Sequence, residues 1–148
     1  MNYRTQLRSA ALVIAWLPLV ACGRNQATEE SVARAVKVEP IAGTELSRLT
    51  LSAQAAQRLD IQTADVRSAL VNGTLRKVIP YAAVLYDDEG QAWAYTSLEP
   101  LTFVRTAVAV EFVTGDLAVL SIGPGDGVAV VTVGAEELFG SEEEFEEE

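Results

Sequence analysis

The sequence contains no histidine, one cysteine and one methionine, the methionine being the initiator. Without histidine, Ser-His-Asp and Cys-His nucleophilic catalysis are excluded. So are the imidazole sites that commonly hold zinc, copper and nickel, and thioether copper binding goes with the missing methionines. With Cys22 alone there is no disulfide within the chain, and the fold must rest on its hydrophobic core. No sustained heptad run is present, which excludes a coiled-coil hairpin. Long apolar stretches are also scarce. The run from Ala10 to Val20 is 11 residues, about half of the roughly 20 that a bilayer span requires.

That short run has another use. Arg4 and Arg8 precede it, and small residues lead from it into Cys22. A basic segment, a short apolar segment and a small-residue cleavage site make a secretory signal peptide over residues 1–21. The ending Leu19-Val20-Ala21-Cys22 resembles the lipobox of bacterial lipoproteins. The resemblance implies cleavage before Cys22 and diacylglycerol on its sulfur, making Cys22 the lipid-attachment residue. Each buried methylene of such a chain contributes roughly 0.8 kcal/mol of membrane affinity. The expected location is extracytoplasmic and membrane-anchored, on the periplasmic or cell-surface side. Two plainer readings stand beside it: an incidental thiol after an ordinary signal peptide, or an uncleaved anchor helix over residues 1–21 with Pro18 near its end.

Without residues 1–21 the chain has 127 residues, a size that suits one domain. Its nine basic and 21 acidic residues give a net charge of −12, with six glutamates between Glu142 and Glu148. Such a charge disfavours nucleic acid and anionic lipid headgroups as partners. Residues 22–36 are polar and aperiodic and read as a flexible tether. Residues 37–140 read as the folded domain and residues 141–148 as an acidic disordered tail.

Within the domain the patterning is mainly β. Arg48–Leu51 is a strand candidate, and Ser52 is an N-cap for a helix of about two turns over Ala53–Leu59. Ile61–Val66 reads as a strand, Asn72-Gly73 as a tight turn, and Val78–Tyr86 as a strand with Pro80 near its start or at an edge. Trp93-Ala94-Tyr95 places two aromatics on one strand face. From Val104 to Phe112 apolar residues alternate with Arg105, Ala107, Ala109 and Glu111, the period of a half-buried strand. Turns at Thr114-Gly115-Asp116 and Gly123–Gly127 separate Leu117–Ile122 from Val128–Val133. Short strands punctuated by turns predict a small β-barrel or β-roll with one short helix.

Two stretches together resemble a family. The first is Leu49-Thr50-Leu51-Ser52, Ala55–Leu59 and Ile61-Gln62-Thr63-Ala64-Asp65-Val66. The second runs from Ile79-Pro80-Tyr81-Ala82-Ala83-Val84 through Trp93–Tyr95 and Phe103-Val104-Arg105. It continues through Ile122–Val128 and Val131-Thr132-Val133-Gly134 to Leu138. They resemble the two chain ends of periplasmic adaptor subunits (membrane fusion proteins) of efflux pumps of the resistance-nodulation-division (RND) type. A full adaptor places a lipoyl-like domain, a helical hairpin and a β-barrel between those ends, whereas here 12 residues separate Val66 from Ile79. The resemblance therefore implies the membrane-proximal, permuted SH3-like domain alone. It further implies a non-enzymatic, lipid-anchored module that binds a membrane transporter component and takes no cofactor. Fold alone does not confer function. The alternative is a standalone extracytoplasmic ligand-binding lipoprotein, which would need a pocket beyond its own core. An enzyme working through paired carboxylates is the least supported reading, because no such pair is marked.

The motifs with chemical content have plain counterparts. Asp87-Asp88-Glu89-Gly90 offers oxygen ligands for calcium but lacks the spacing of an EF-hand loop, and a solvated hairpin turn is the favoured reading, with no metal assigned. Gly123-Pro124-Gly125-Asp126-Gly127 has the glycines of a phosphate loop without its lysine, so a turn is favoured. Tyr81, Tyr86, Trp93 and Tyr95 line a groove or, more commonly for strand aromatics, join the core. Arg105 falls on the polar phase of its strand, which predicts a surface ion pair or a free arginine, with contact to a partner's acid as the functional reading.

Overall fold

The computed structural model describes residues 35–146. The expected signal peptide, the lipid-attachment residue Cys22 and nearly all of the tether lie outside the described residues. The chain is mainly β, folded as a curled half-barrel sheet with the character of a small roll. In chain order the elements are β1 (Val36–Pro40), β2 (Ser47–Leu51), α1 (Ala53–Arg58), β3 (Gln62–Asp65), β4 (Arg67–Val71) and β5 (Thr74–Pro80). A 3-10 turn (Tyr81–Ala83), β6 (Leu85–Tyr86), β7 (Ala92–Glu99), β8 (Thr102–Thr114), β9 (Leu117–Ile122), β10 (Ala129–Val133) and α2 (Ala135–Glu146) follow. Neighbouring strands run in the order β3-β10-β7-β8-β9-β5-β4, with β1 and β2 branching from β8 and β6 lying on β7.

The turns are where local chemistry requires them. Asn72 and Gly73 adopt φ of 50° and 78°, the left-handed pair that a two-residue hairpin turn demands. The Ser52 hydroxyl oxygen accepts from the Ala55 backbone N–H at 3.2 Å and caps α1. The expected strand Val78–Tyr86 is interrupted instead, because Pro80 closes β5 and the 3-10 turn follows. Strands β1 and β4 did not stand out in the sequence.

The long strand β8 organises both halves of the roll. Its N-terminal part pairs with β2 and β7 and its C-terminal part with β9. Register shifts between Ala109 and Phe112 accompany the second pairing, and a bulge of this kind bends a strand and sharpens its twist. Side chains alternate between faces along a strand, and here the middle strands are covered on both. Leu49, Leu51, Ala55, Tyr95, Phe103, Val131, Ala135 and Leu138 form one core. Val66, Ile79, Ala83, Ala94, Val108, Ala118, Leu120 and Val130 form the other. Adjacent residues such as Ala94 and Tyr95, or Val130 and Val131, therefore serve opposite cores. A smaller cluster of Val71, Val78 and Val119 holds the β4–β5 hairpin against β9.

The C-terminal end corrects the expectation of a solvated acidic tail for residues 141–146; residues 147–148 lie outside the described residues. Helix α2 carries through Glu146, and Glu142 is buried, with 1% of its surface exposed. Ala135, Leu138 and Glu142 share the stripe that faces the first core, while Glu136, Glu137, Glu143 and Glu144 face solvent. Glu136 and Glu137 sit in the first turn, where carboxylates favour the helix dipole. The N–H of Leu138 donates to the carbonyl of Gly134 at 3.2 Å, so the helix begins directly after β10.

Candidate functional site

A cluster of polar side chains forms where side chains of α2, which packs on β1 and β2, reach across to β7 and β8. Tyr95 and Arg105 are register partners on these two strands. Both sit on the face that α2 covers, two residues from Trp93 and Phe103 respectively. Glu142 enters this layer from the helix. Its Oε1 accepts from the Ser47 backbone N–H at 3.1 Å, and its Oε2 accepts from the Tyr95 hydroxyl at 2.5 Å. The carboxylate thus ties the C-terminal helix to β2 and β7 at once.

Arg105 completes the arrangement. Its Nε lies 3.5 Å from Glu142 Oε2, and only 13% of the arginine side chain is exposed. The Nε is buried and forms no hydrogen bond, so this is a contact between charges. The guanidinium is stacked between the rings of Trp93 and Phe139, 4.8 and 5.2 Å from their centroids. Both distances fall within the range of cation–π attraction. The expected surface arginine is therefore mostly buried, because the face it occupies is roofed by α2.

Trp93 links this layer to the Asp87 turn. Its indole N–H donates to Asp87 Oδ2 at 2.7 Å, while Asp87 Oδ1 accepts from the Gln91 backbone N–H at 2.7 Å. The Trp93 hydrogen bond is the main cause that holds the Asp87 carboxyl below its ordinary range, with backbone donors and the Arg105 charge assisting. Asp88 and Glu89 remain exposed and Gly90 has φ of 77°. Both Asp87 oxygens are committed to the protein, and the segment is a capped hairpin turn.

Burial and then the Glu142 hydrogen bond push the Tyr95 phenol strongly upward, away from ionisation. The hydroxyl is therefore a fixed donor at neutral pH. In chemical terms the cluster is a lock: a carboxylate with three partners, a phenol that keeps its proton and a stacked guanidinium. Together they hold one helix in one register.

The remaining residues singled out from sequence are dispersed. Lys77 Nζ donates to the carbonyls of Gly123 and Pro124 at 3.2 and 2.6 Å, and Ser68 donates to Asp126 at 2.7 Å. The glycine-rich segment is thus a turn fastened to the β4–β5 hairpin. Tyr95 is core, but Tyr81 and Tyr86 are 43% and 51% exposed and join neither core. No motif in the sequence marks Glu142 as a site residue. Its signal was the helical spacing of Leu138, Phe139, Glu142 and Phe145, which the run of glutamates obscured. No family model matches the chain, and no curated protein or solved structure matches it with significance.

Proposed function

We propose that the chain is a lipid-anchored extracytoplasmic module that binds a component of a membrane transporter and performs no chemistry of its own. The observation that carries this reading is a strand pairing. The two stretches that resemble the ends of an adaptor chain lie side by side, with β3 and β10 joined antiparallel through Asp65 and Ala129, Ala64 and Val130, and Thr63 and Val131. Building one small β domain from segments far apart in sequence is what the membrane-proximal region of an adaptor requires. The Leu19-Val20-Ala21-Cys22 segment supports anchoring at Cys22.

The test is a crosslinking pull-down of the tagged full chain from membranes, run beside Cys22→Ala. Enrichment of a transporter subunit that weakens in the variant is the expected result. A protein that stays in the membrane yet captures no transporter component would overturn the reading.

A further inference from the structure

The β4–β5 hairpin carries an apolar surface that the fold does not use. Leu70 and Leu75 are directly paired across the hairpin, two residues from the Asn72-Gly73 turn, and are 76% and 65% exposed. Lys77 pairs with Leu120 on β9. Continuing that ladder by two residues brings Leu75 level with Ile122, which is 67% exposed. These three side chains share a sheet face, because Leu70 pairs with Leu75 and both Leu75 and Ile122 lie two residues from positions on the Ile79–Leu120 face. The opposite face of the hairpin is held by Val71, Val78 and Val119. The apolar row is thus presented by a hairpin fixed from behind, at the edge of the sheet formed by β4.

The charges around this row differ from those of the rest of the protein. From Val66 through Tyr86 the sequence has no acidic residue, in a chain with 21 of them. The hairpin instead bears Arg76, Lys77 and Arg67, paired opposite Ala69, Ser68 and Val78. These lie one, two and three rows behind the leucine pair, a span of about 10 Å at the rise of an antiparallel strand. Arg67 is exposed, and Arg76 and Lys77 keep part of their surface while bonding Glu111 and the Gly123 and Pro124 carbonyls. An uncharged tip with leucines, followed at this distance by cations, matches the depth profile of a bilayer interface. There apolar groups sit about 5–10 Å into the headgroup–acyl boundary and Lys and Arg meet the phosphates.

We propose that the β4–β5 hairpin tip inserts Leu70 and Leu75, with Ile122 beside them, into the surface of an anionic bilayer. The insertion gives the anchored domain a second membrane contact and a fixed orientation. The net negative charge of the whole chain disfavours anionic headgroups elsewhere on the surface, and Glu111 and Asp126 adjoin the hairpin at Arg76 and Ser68; both contacts lie behind the leucine pair, and the hairpin's own charged residues are all cations. The proposal rests on the anchored reading above, since the lipid on Cys22 is what holds the tip near a membrane.

The experiment uses the full chain purified from membranes and reconstituted into phosphatidylcholine vesicles with and without phosphatidylglycerol. An environment-sensitive fluorophore is placed at Thr74→Cys on the tip or at Asp88→Cys in the acidic turn, and mass spectrometry reads the modification of Cys22. The expected result is a blue shift and quenching by lipid-borne quenchers at position 74 only. The blue shift should be lost in Leu70→Ser/Leu75→Ser, and in Arg67→Gln/Arg76→Gln the gain from phosphatidylglycerol should disappear. A water-like signal at position 74, or equal shifts at 74 and 88, overturns the insertion even when Cys22 carries lipid. An unmodified Cys22 overturns the anchored reading instead, and the position 74 signal of that chain with added vesicles still decides for or against the tip.

Discussion

Tyr95 and Glu142, 47 positions apart in sequence, meet where the sheet and the C-terminal helix touch, the phenol donating to Oε2 at 2.5 Å. The pair is closed off by Ser47 on one side and Arg105 on the other. A buried carboxylate is costly to desolvate, and this one is tolerated because each oxygen has a donor and a cation lies alongside. The same arrangement makes the helix position specific. A shift of one residue along α2 would either place Ser141 at this point and leave three partners unmatched, or place Glu143 here and force Phe139 into the site of the fully buried Leu138.

Glu142→Ala is accordingly expected to destabilise the fold by about 3–5 kcal/mol, because it leaves a buried cation and two buried donors without their acceptor. Glu143→Ala, on the solvent side of the same helix, should stay within about 0.5 kcal/mol. Urea unfolding followed by far-UV circular dichroism measures both. Equal midpoints for the two variants would mean that Glu142 behaves as part of a solvated tail.

The alkaline limb of stability should depend on Tyr95. Its phenol pKa is raised by burial and by Glu142, so above about pH 10 the unfolded chain loses a proton that the folded chain keeps. Ionisation then favours the unfolded state, and stability falls at up to about 1.4 kcal/mol per pH unit for one such group. Below that pH the contribution is flat. In Tyr95→Phe the fall between about pH 9 and 11 should be shallower, with a smaller slope remaining from Tyr86, whose pKa is also raised. Urea midpoints across this range test the point, and an unchanged slope would count against a buried phenol.

Arg105→Lys separates stacking from charge. A lysine keeps the charge near Glu142 but loses the planar group that lies between Trp93 and Phe139. The expected loss is about 1–2 kcal/mol, together with a change in Trp93 emission. Trp93 is the only tryptophan outside the expected signal peptide, which makes fluorescence a direct reading of this contact. If stability and emission both match the parent, the guanidinium does not stack as described.

Much of the fold was legible in local chemistry. Asn72-Gly73, Thr114-Gly115-Asp116 and Asp87–Gly90 mark turns whatever surrounds them, Ser52 before an Ala- and Gln-rich stretch marks α1, and Leu117–Ile122 coincides with β9. Most of the candidate site was not legible. Alternation along β8 tells which residues share a face, but not that both faces are covered, so Arg105 read as a surface residue. The charge of Glu142–Glu148 read as solvation because six glutamates outweigh Leu138 and Phe139 in any local average. Only the burial of one of them, set by a strand 47 residues earlier, distinguishes Glu142 from its neighbours.

The junction between β10 and α2 offers a further test of the docked helix, one that alters no charge. Gly134 has φ of 85°, a conformation that side chains other than glycine rarely adopt. A Cβ there would collide with Ile61 Cδ1 and lie 3.3 Å from the Leu59 carbonyl oxygen. Backbone strain and steric conflict thus fall on one residue, and moving Gly134 aside would lift α2 from the face that buries Leu138 and Glu142. Gly134→Ala is expected to cost about 1–3 kcal/mol. Gly125→Ala, in a turn where an added Cβ meets nothing within 4 Å, should cost much less. Thermal unfolding of the two variants decides the matter. If Gly134→Ala melts with the parent, the chain does not turn tightly from β10 into α2, and the Glu142 lock loses its geometric basis.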